Sequence, residues 1–257
     1  MKSGILIVVF FMMMPLCFNG QIVRHEVVFH PERLAARGIV TAKIVTSGRL
    51  SGTETSYYHF DSTGRLTGIV TVPAGGTADT LLTRSVTDGR ISGQQAQRHG
   101  EPRREELHYN TAGRLIMKRV FLHDTLYSTV TFDYHTGGQV ASSTEVSVAG
   151  DTLRTAQYVY AFGELTRIDY RGAAYGSIQY HRQRSQSVTR VFCPEGELSM
   201  TRLAKYRKDQ LLQEETVSVP GIMASATTRY RYIRGLLRVV RHPDGRRSRV
   251  RYIRNNS

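Results

Sequence analysis

Cysteine is scarce in this 257-residue chain, which contains only Cys17 and Cys193. Cys17 lies in an amino-terminal segment that we expect to be removed, so the mature chain keeps one cysteine and forms no disulfide within itself. Small secreted domains often need such crosslinks, but a chain of about 235 residues buries enough apolar surface to fold without them. Cysteine poverty in an exported chain favours a bacterial envelope over a eukaryotic extracellular space.

Long apolar runs are missing after the amino-terminal segment. Within that segment, Lys2 is followed by an almost continuous apolar run over Ile5–Phe18, and a small residue, Gly20, comes shortly after the run. This order is typical of a secretory signal. The run is shorter than the roughly 20 residues of a spanning helix, and Pro15 interrupts it. We therefore expect a signal peptide over residues 1–20 and a single domain over 21–257, in the periplasm, at the outer-membrane surface or outside the cell.

Helical periodicity is also scarce. Only residues 30–37 have the spacing for two turns of helix, whereas later segments alternate between apolar and polar residues. In residues 127–134, for example, Val130 and Phe132 share one face with Tyr134. Alternation of threonine, valine and tyrosine is typical of half-buried strands. Turn sequences such as Asp244-Gly245 separate these segments, so the sequence predicts an all-β antiparallel meander.

A short motif recurs along the chain. Glycine followed by arginine and leucine or isoleucine occurs at residues 48–50, 64–66, 89–91 and 113–115. Aromatic anchors recur with it, and they are Phe60, Tyr109, Tyr134, Tyr160, Tyr180, Tyr206 and Tyr232. The unit is about 25 residues long, and one copy near residues 85–89 has lost its aromatic residue. Two strands of roughly 7–9 residues and two turns fill that length.

About eight units over residues 40–254 predict about sixteen strands in an extended, curled sheet. A single-layer sheet buries only one face well, so it must curl, twist or find a partner. Six glycines are expected to turn the chain within the units: Gly64, Gly89, Gly113, Gly138, Gly163 and Gly235.

Two copies, YHFDSTGRLTGI and LHYNTAGRLIMKRV, resemble the YD repeat of RHS-type proteins, whose unit is Tyr-x-Tyr-Asp, a few residues and Gly-Arg-Leu. The signature aspartate is Asp61 in the first copy and becomes Asn110 in the second. The resemblance implies a run of antiparallel hairpins in a bacterial envelope protein. Large members of that family wrap such sheets around a toxin, but eight units are too few to enclose a domain.

Catalytic motifs are absent from the sequence, which has no Gly-x-Ser-x-Gly, phosphate loop or His-Glu-x-x-His. His59, His108 and His135 recur at one place in three repeats and could stack as metal ligands, but surface imidazoles are the favoured interpretation. Asp61 and Asp133 could act as paired acid and base, although an aspartate before a glycine turn more often binds backbone amides. We expect no catalytic residue, no metal and no cofactor.

Acidic residues are few, with 21 against 35 basic ones and a formal net charge of +14. The excess is densest over residues 229–254, which contain ten arginines and one acid, Asp244. Such a field attracts polyanions; the alternative is a solvated sheet face that keeps edges apart. The candidate anion-binding residues are Arg65, Arg90, Arg114, Arg231, Arg238 and Arg249. For the arginines that follow a turn glycine, stems lying over tyrosine rings are favoured over a basic ladder.

The sequence specifies no activity, and it favours a non-catalytic secreted or periplasmic binding or scaffold protein. The expected partner is an anionic glycan or lipid, or another envelope protein, and not nucleic acid. An outer-membrane β-barrel is one alternative, which the arginines on many strands oppose. A glycan-acting enzyme is another, and it would need facing carboxylates about 5–10 Å apart.

Overall fold

The structure is a computed structural model that describes residues 29–48, 52–73, 75–88, 90–98, 101–173, 176–222 and 225–254. The expected signal peptide and Gly89 lie outside these residues. No helix within the described part of the chain is long and apolar enough to cross a membrane.

One short helix is followed by strands throughout. The helix α1 covers Pro31–Ala35, inside the segment where the sequence predicts two helical turns. The strands are β1 Ile39–Ser47, β2 Thr53–Phe60, β3 Leu66–Val72, β4 Asp79–Thr87, β5 Arg90–Arg98, β6 Glu101–Tyr109, β7 Leu115–Leu122, β8 Thr125–Tyr134, β9 Val140–Ser147, β10 Thr152–Ala161, β11 Glu164–Arg171, β12 Ser177–Arg182, β13 Gln186–Phe192, β14 Leu198–Tyr206, β15 Leu212–Ser218, β16 Ala226–Ile233, β17 Leu236–Arg241 and β18 Arg247–Arg254.

The sheet closes on itself. Each strand pairs antiparallel with its neighbours in sequence, and β1 also pairs with β18, so that Ile44 lies opposite both Ser56 and Val250. The all-β meander is confirmed, but the expectation of an extended, curled sheet is wrong, because the structure is a closed barrel of 18 strands. The described residues form 18 strands where about sixteen were expected over residues 40–254. The first and last strands, β1 and β18, carry none of the aromatic anchors, and their pairing removes both free edges of the sheet.

The two faces of the barrel wall differ in chemistry. On β11, Ile168 and Tyr170 are buried, Asp169 between them is half-buried, and the flanking Arg167 and Arg171 are exposed. The same alternation runs around the wall, with the apolar side chains directed inward. Four inward residues from separate strands are at most 1% exposed: Val120, Ala156, Ala204 and Val240. The interior beside them is therefore filled by side chains.

The copies of the motif that carry an aromatic anchor form turns at one end of the barrel. In the first unit, Phe60 pairs with Leu66 while His59 pairs with Gly68, so Thr67 is an extra, bulged residue. The bulge lets both Leu66 and Ile69 face the interior, where they are 6% and 4% exposed. The same shift occurs beside five other aromatic anchors: Tyr109, Tyr134, Tyr160, Tyr206 and Tyr232.

Helix α1 fastens to this end of the barrel, which we call the helix end; the opposite end is the far end. Phe29, just before the helix, packs against the rings of Tyr58 and Phe60 at centroid distances of 5.5 Å. The Arg33 guanidinium donates hydrogen bonds of 3.4 Å to the carbonyl oxygens of Asp209 and Gly235, which lie in two turns at this end. The turn glycine Gly64 lies so close to Pro31 that a Cβ there would overlap the proline backbone.

Candidate functional site

The outer face of β16, β17 and β18 carries a dense group of exposed arginines, which we call the arginine patch. Its members are Arg229, Arg231, Arg241, Arg247, Arg249 and Arg251. They face outward because each alternates with a more buried inward residue, such as Val250 between Arg249 and Arg251. Strands lie about 4.8 Å apart, and residues two apart on a strand lie about 6.7 Å apart. The patch is therefore a grid of positive charge.

The strand register places like charges directly opposite each other. Arg229 pairs with Arg241, and Arg241 pairs with Arg247, so three arginines form one row across three strands. In the next row, Arg231 and Arg249 lie on either side of Val239. Like charges at directly opposite positions destabilise a sheet, so folding alone does not favour this arrangement.

Carboxylates reach only the border of the patch. Glu214 on β15 accepts hydrogen bonds from Lys205 at 2.9 Å and from Arg229 at 3.0 Å. These two hydrogen bonds lower the pKa of Glu214, so it stays ionised. Within the described part of the chain, no ion pair involves the other five arginines of the patch: Arg231, Arg241, Arg247, Arg249 and Arg251.

A groove of about 240 Å³ runs through the patch. Four of its arginines line the groove together with Tyr230 and Val239: Arg229, Arg231, Arg241 and Arg247. The groove offers guanidinium donors on both sides and an apolar floor at Val239. Guanidinium groups bind carboxylate, sulfate and phosphate oxygens in bidentate fashion, so the chemistry of this site suits an anionic ligand.

The six candidate arginines predicted from sequence separate into two groups. Arg90, Arg114 and Arg238 lie over tyrosine rings, with guanidinium carbons 5.9, 5.6 and 5.3 Å from the ring centres. Arg65 belongs to the turn closed by Asp61, to which it donates its backbone N–H at 2.9 Å. Only Arg231 and Arg249 lie in the patch.

The arginines that follow a turn glycine connect successive repeats. The Arg114 guanidinium lies over the Tyr134 ring, and a Cβ on Gly138 in the following turn would lie only 2.9 Å from it. The Tyr134 hydroxyl donates a 2.7 Å hydrogen bond to the Leu115 carbonyl, directly after that arginine. Tyr109 makes the equivalent bond of 2.9 Å to Ile91. These arginines and tyrosines therefore join one repeat to the next, as the stacking interpretation predicts.

Five of the six turn glycines predicted from the sequence lie in the described residues, and all five occupy left-handed backbone. Their φ angles lie between 77° and 84°, and the residues are Gly64, Gly113, Gly138, Gly163 and Gly235. Asp61 accepts hydrogen bonds from the backbone N–H groups of Thr63 and Arg65, both at 2.9 Å. That arrangement is the backbone-binding role expected for an aspartate before a glycine turn.

His59 and His135, two of the histidines that recur in the repeats, contact different partners. His59 Nδ1 lies 3.2 Å from the Thr41 hydroxyl, and the His135 ring contacts Tyr160 edge to face. No group of three or more histidine, cysteine, aspartate or glutamate side chains that could hold a metal occurs among the described residues.

Charged side chains also face the interior, where sequence reasoning did not place them. Glu105 is 2% exposed, and it pairs with Arg103 at 2.8 Å and with Lys118 at 3.7 Å. Burial lowers the pKa of Lys118, which Glu105 partly offsets. On β14, the buried Arg202 pairs with Glu215 of the neighbouring strand β15. Each of these interior charges has at least one oppositely charged partner, so we assign the pairs a structural role.

Closure of the barrel favours the outer-membrane alternative more than the sequence did. A closed meander with many strands is the architecture of such barrels, so on architecture alone this alternative fits the chain at least as well as an exported scaffold does. The outer face is nevertheless charged well beyond the patch. Charged side chains exposed there include Arg119, Arg167, Arg171, Arg190 and Lys205.

Comparison with known proteins gives no family. No protein-family model matches the chain, and no curated protein matches it, so the YD-repeat resemblance has no support from a family model. A porin-like protein from Bacteroides uniformis ATCC 8492 is similar in structure, with a TM-score of 0.44 and 13% identity, over 84% of this chain and 98% of that one. A TcdB2-TccC3 structure without its hypervariable C-terminal region has a TM-score of 0.34 and 10% identity, over 77% of this chain and 16% of that one. Neither likeness is close enough to carry an argument about function.

Proposed function

We propose that this protein is a non-catalytic, exported binding protein whose barrel stands in water and whose arginine patch binds an anionic envelope polymer. The observation that carries the proposal is the row of Arg229, Arg241 and Arg247 on three adjacent strands. Such a row costs stability in the free protein, and a bound polyanion removes that cost. The polymer class that fits is a glycan bearing carboxylate, sulfate or phosphate groups.

Dextran sulfate is a suitable probe, with neutral dextran as its control. The test variant is Arg241→Gln/Arg249→Gln, which removes two charges from different rows of the patch. The matched control is Arg167→Gln/Arg190→Gln, which removes two exposed outward arginines from β11 and β13. Both variants change the net charge equally, so they separate a local site from general electrostatic attraction.

We expect the patch variant to bind dextran sulfate about tenfold more weakly than the unmodified protein, since two exposed ion pairs together contribute about 1–2 kcal/mol. The control variant should change affinity less than about twofold, and neutral dextran should not bind. Equal weakening by both variants would show that net charge alone attracts the polymer, and the proposed site would be wrong.

An outer-membrane β-barrel is the second candidate, and the closure of all 18 strands favours it. Against it, an arginine or lysine facing lipid costs about 2–4 kcal/mol at the membrane midplane. The filled interior beside Val120 and Ala156 also differs from the polar lumen of a porin. Recovery of the tagged protein in the soluble fraction after a high-salt wash is the expected result. Recovery in the outer membrane with heat-modifiable gel mobility would support this candidate and refute the water-facing barrel.

A further inference from the structure

The two ends of the barrel differ in charge. The difference lies in the charged residues between the end of one strand and the start of the next. At the helix end, these turns contain three acidic residues, Asp61, Asp88 and Asp209, and six basic ones: Arg65, Arg114, Arg184, Arg207, Lys208 and Arg234. The described turns of the far end carry five acidic residues, Asp124, Asp151, Glu195, Glu197 and Asp244, against one basic residue, Arg246. The α1 segment adds Arg33 and Arg37 against Glu32 at the helix end. The barrel is therefore polar along its axis, with a basic helix end.

A fully exposed phenylalanine stands at the tip of a hairpin on this basic end. Phe162 and Gly163 form the two-residue turn between β10 and β11, and the Phe162 side chain has no cover from the rest of the described chain. Ile233, at the last position of β16 on the same end, is 48% exposed. Burial in the core therefore explains neither side chain.

The backbone at Phe162 is unfavourable for that residue. Its φ is 51°, in the left-handed region, where bulky side chains are rare. The equivalent turn positions of two other hairpins, Asp88 and Arg234, also have φ of 51°. Asparagine or aspartate before glycine suits such a turn, so neither turn chemistry nor packing favours a phenylalanine here.

We propose that the helix end docks on an anionic lipid bilayer, with Phe162 entering the boundary between headgroups and acyl chains. A basic end that also carries an exposed aromatic residue is the combination that binds anionic membrane surfaces. The charge of this end selects anionic lipid, and the phenyl ring supplies apolar area at the furthest point of a hairpin. The acidic far end faces away from the membrane.

The chain contains no tryptophan, so a single introduced tryptophan reports its own surroundings. The variant Phe162→Trp reports the helix end, and Val148→Trp, in a 67% exposed turn position at the far end, is its matched control. The probes are vesicles of phosphatidylcholine alone and of phosphatidylcholine mixed with phosphatidylglycerol, with some preparations containing brominated acyl chains.

With mixed vesicles we expect the fluorescence of Phe162→Trp to shift to the blue and to be quenched by brominated chains, whereas Val148→Trp should show neither change. Phosphatidylcholine alone should give no response, and high salt should weaken the response. A response from both reporters, or from neither, would overturn the proposal. A blue shift of Phe162→Trp with dextran sulfate alone would also overturn it, because the ring would then meet a soluble polymer.

Removal of the ring gives a second test that does not depend on a tryptophan. Asparagine tolerates positive φ, so Phe162→Asn keeps the turn, and we expect it to lower vesicle affinity about tenfold. The patch variant Arg241→Gln/Arg249→Gln should keep its vesicle affinity. If the patch variant loses vesicle binding while Phe162→Asn retains it, membrane docking at the helix end is wrong and the arginine patch remains as the anion site.

Discussion

Neutralisation of Arg241 should stabilise the free protein at low salt. Arg241 lies directly opposite Arg229 on one side and Arg247 on the other. Taking about 6 Å between neighbouring guanidinium groups, each repulsion amounts to about 0.7 kcal/mol in water. Glu214 already offsets part of the charge on Arg229, so we expect Arg241→Gln to raise the free energy of unfolding by about 1 kcal/mol.

Urea denaturation at low and high salt measures this effect. The gain should disappear near 1 M salt, where the screening length falls to about 3 Å. Arg190→Gln is the matched control, because Arg190 is also exposed and outward but lies between the neutral partners Gln179 and Thr201. Arg190→Gln should change stability little at either salt concentration. An Arg241→Gln variant that is no more stable than its parent at low salt would refute the argument that the patch stores repulsion.

Two further predictions concern the interior. Glu215→Gln leaves Arg202 buried and poorly compensated, so the free energy of unfolding should fall by about 3 kcal/mol. Glu214 faces outward and pairs with the exposed Lys205 and Arg229, so Glu214→Gln should cost less than about 1 kcal/mol. Equal losses in urea denaturation would contradict the inward placement of Glu215. Burial raises the pKa of Tyr58 and Tyr158 above the ordinary tyrosine value. Folding therefore favours the neutral forms of these two tyrosines. Their contribution to the free energy of unfolding should be fully present below about pH 10 and should be lost as the pH rises further. Absorbance of tyrosinate during alkaline titration checks this, and ionisation of all tyrosines before unfolding would be the contrary result.

The local structure could be predicted from the sequence because its causes are local. Period-two alternation identifies the strands, and each glycine turn fixes where two strands reverse. The aromatic anchor is recognisable because it pairs with the leucine of the motif, as Phe60 does with Leu66. The expectation of about sixteen strands over residues 40–254 falls two short of the 18 strands that the described residues form.

Closure of the barrel had no local signal. The pairing of Ile44 with Val250 joins the first and last strands of the sheet, and neither strand carries one of the aromatic anchors that mark the repeat units. The inward ion pairs were also missed, since residues such as Lys118 and Glu105 alternate like ordinary surface residues. Only the neighbouring wall shows that their face is the buried one.

The arginine patch could be predicted in part. Asp244-Gly245 marks the hairpin, but a symmetric count outward from a two-residue turn there would place Arg241 opposite Ser248. Residues 242–246 instead form a five-residue connection, which places Arg241 opposite Arg247. The position of Arg229 could not be found in this way, because the register of β16 and β17 shifts between Arg231 and Tyr232. Two members of the patch, Arg231 and Arg249, were identified by charge density alone.

The central claim is that the charged face of the wall meets water and the apolar face is enclosed. In a Cys193→Ser background, single cysteines at Arg190 and Val191 report adjacent outward and inward positions of β13. With the protein in its native envelope fraction, we predict fast labelling of Arg190→Cys by a charged maleimide and protection of Val191→Cys. Protection of the outward cysteine and labelling of the inward one would mean a lipid-facing wall around an aqueous lumen, and would contradict the account.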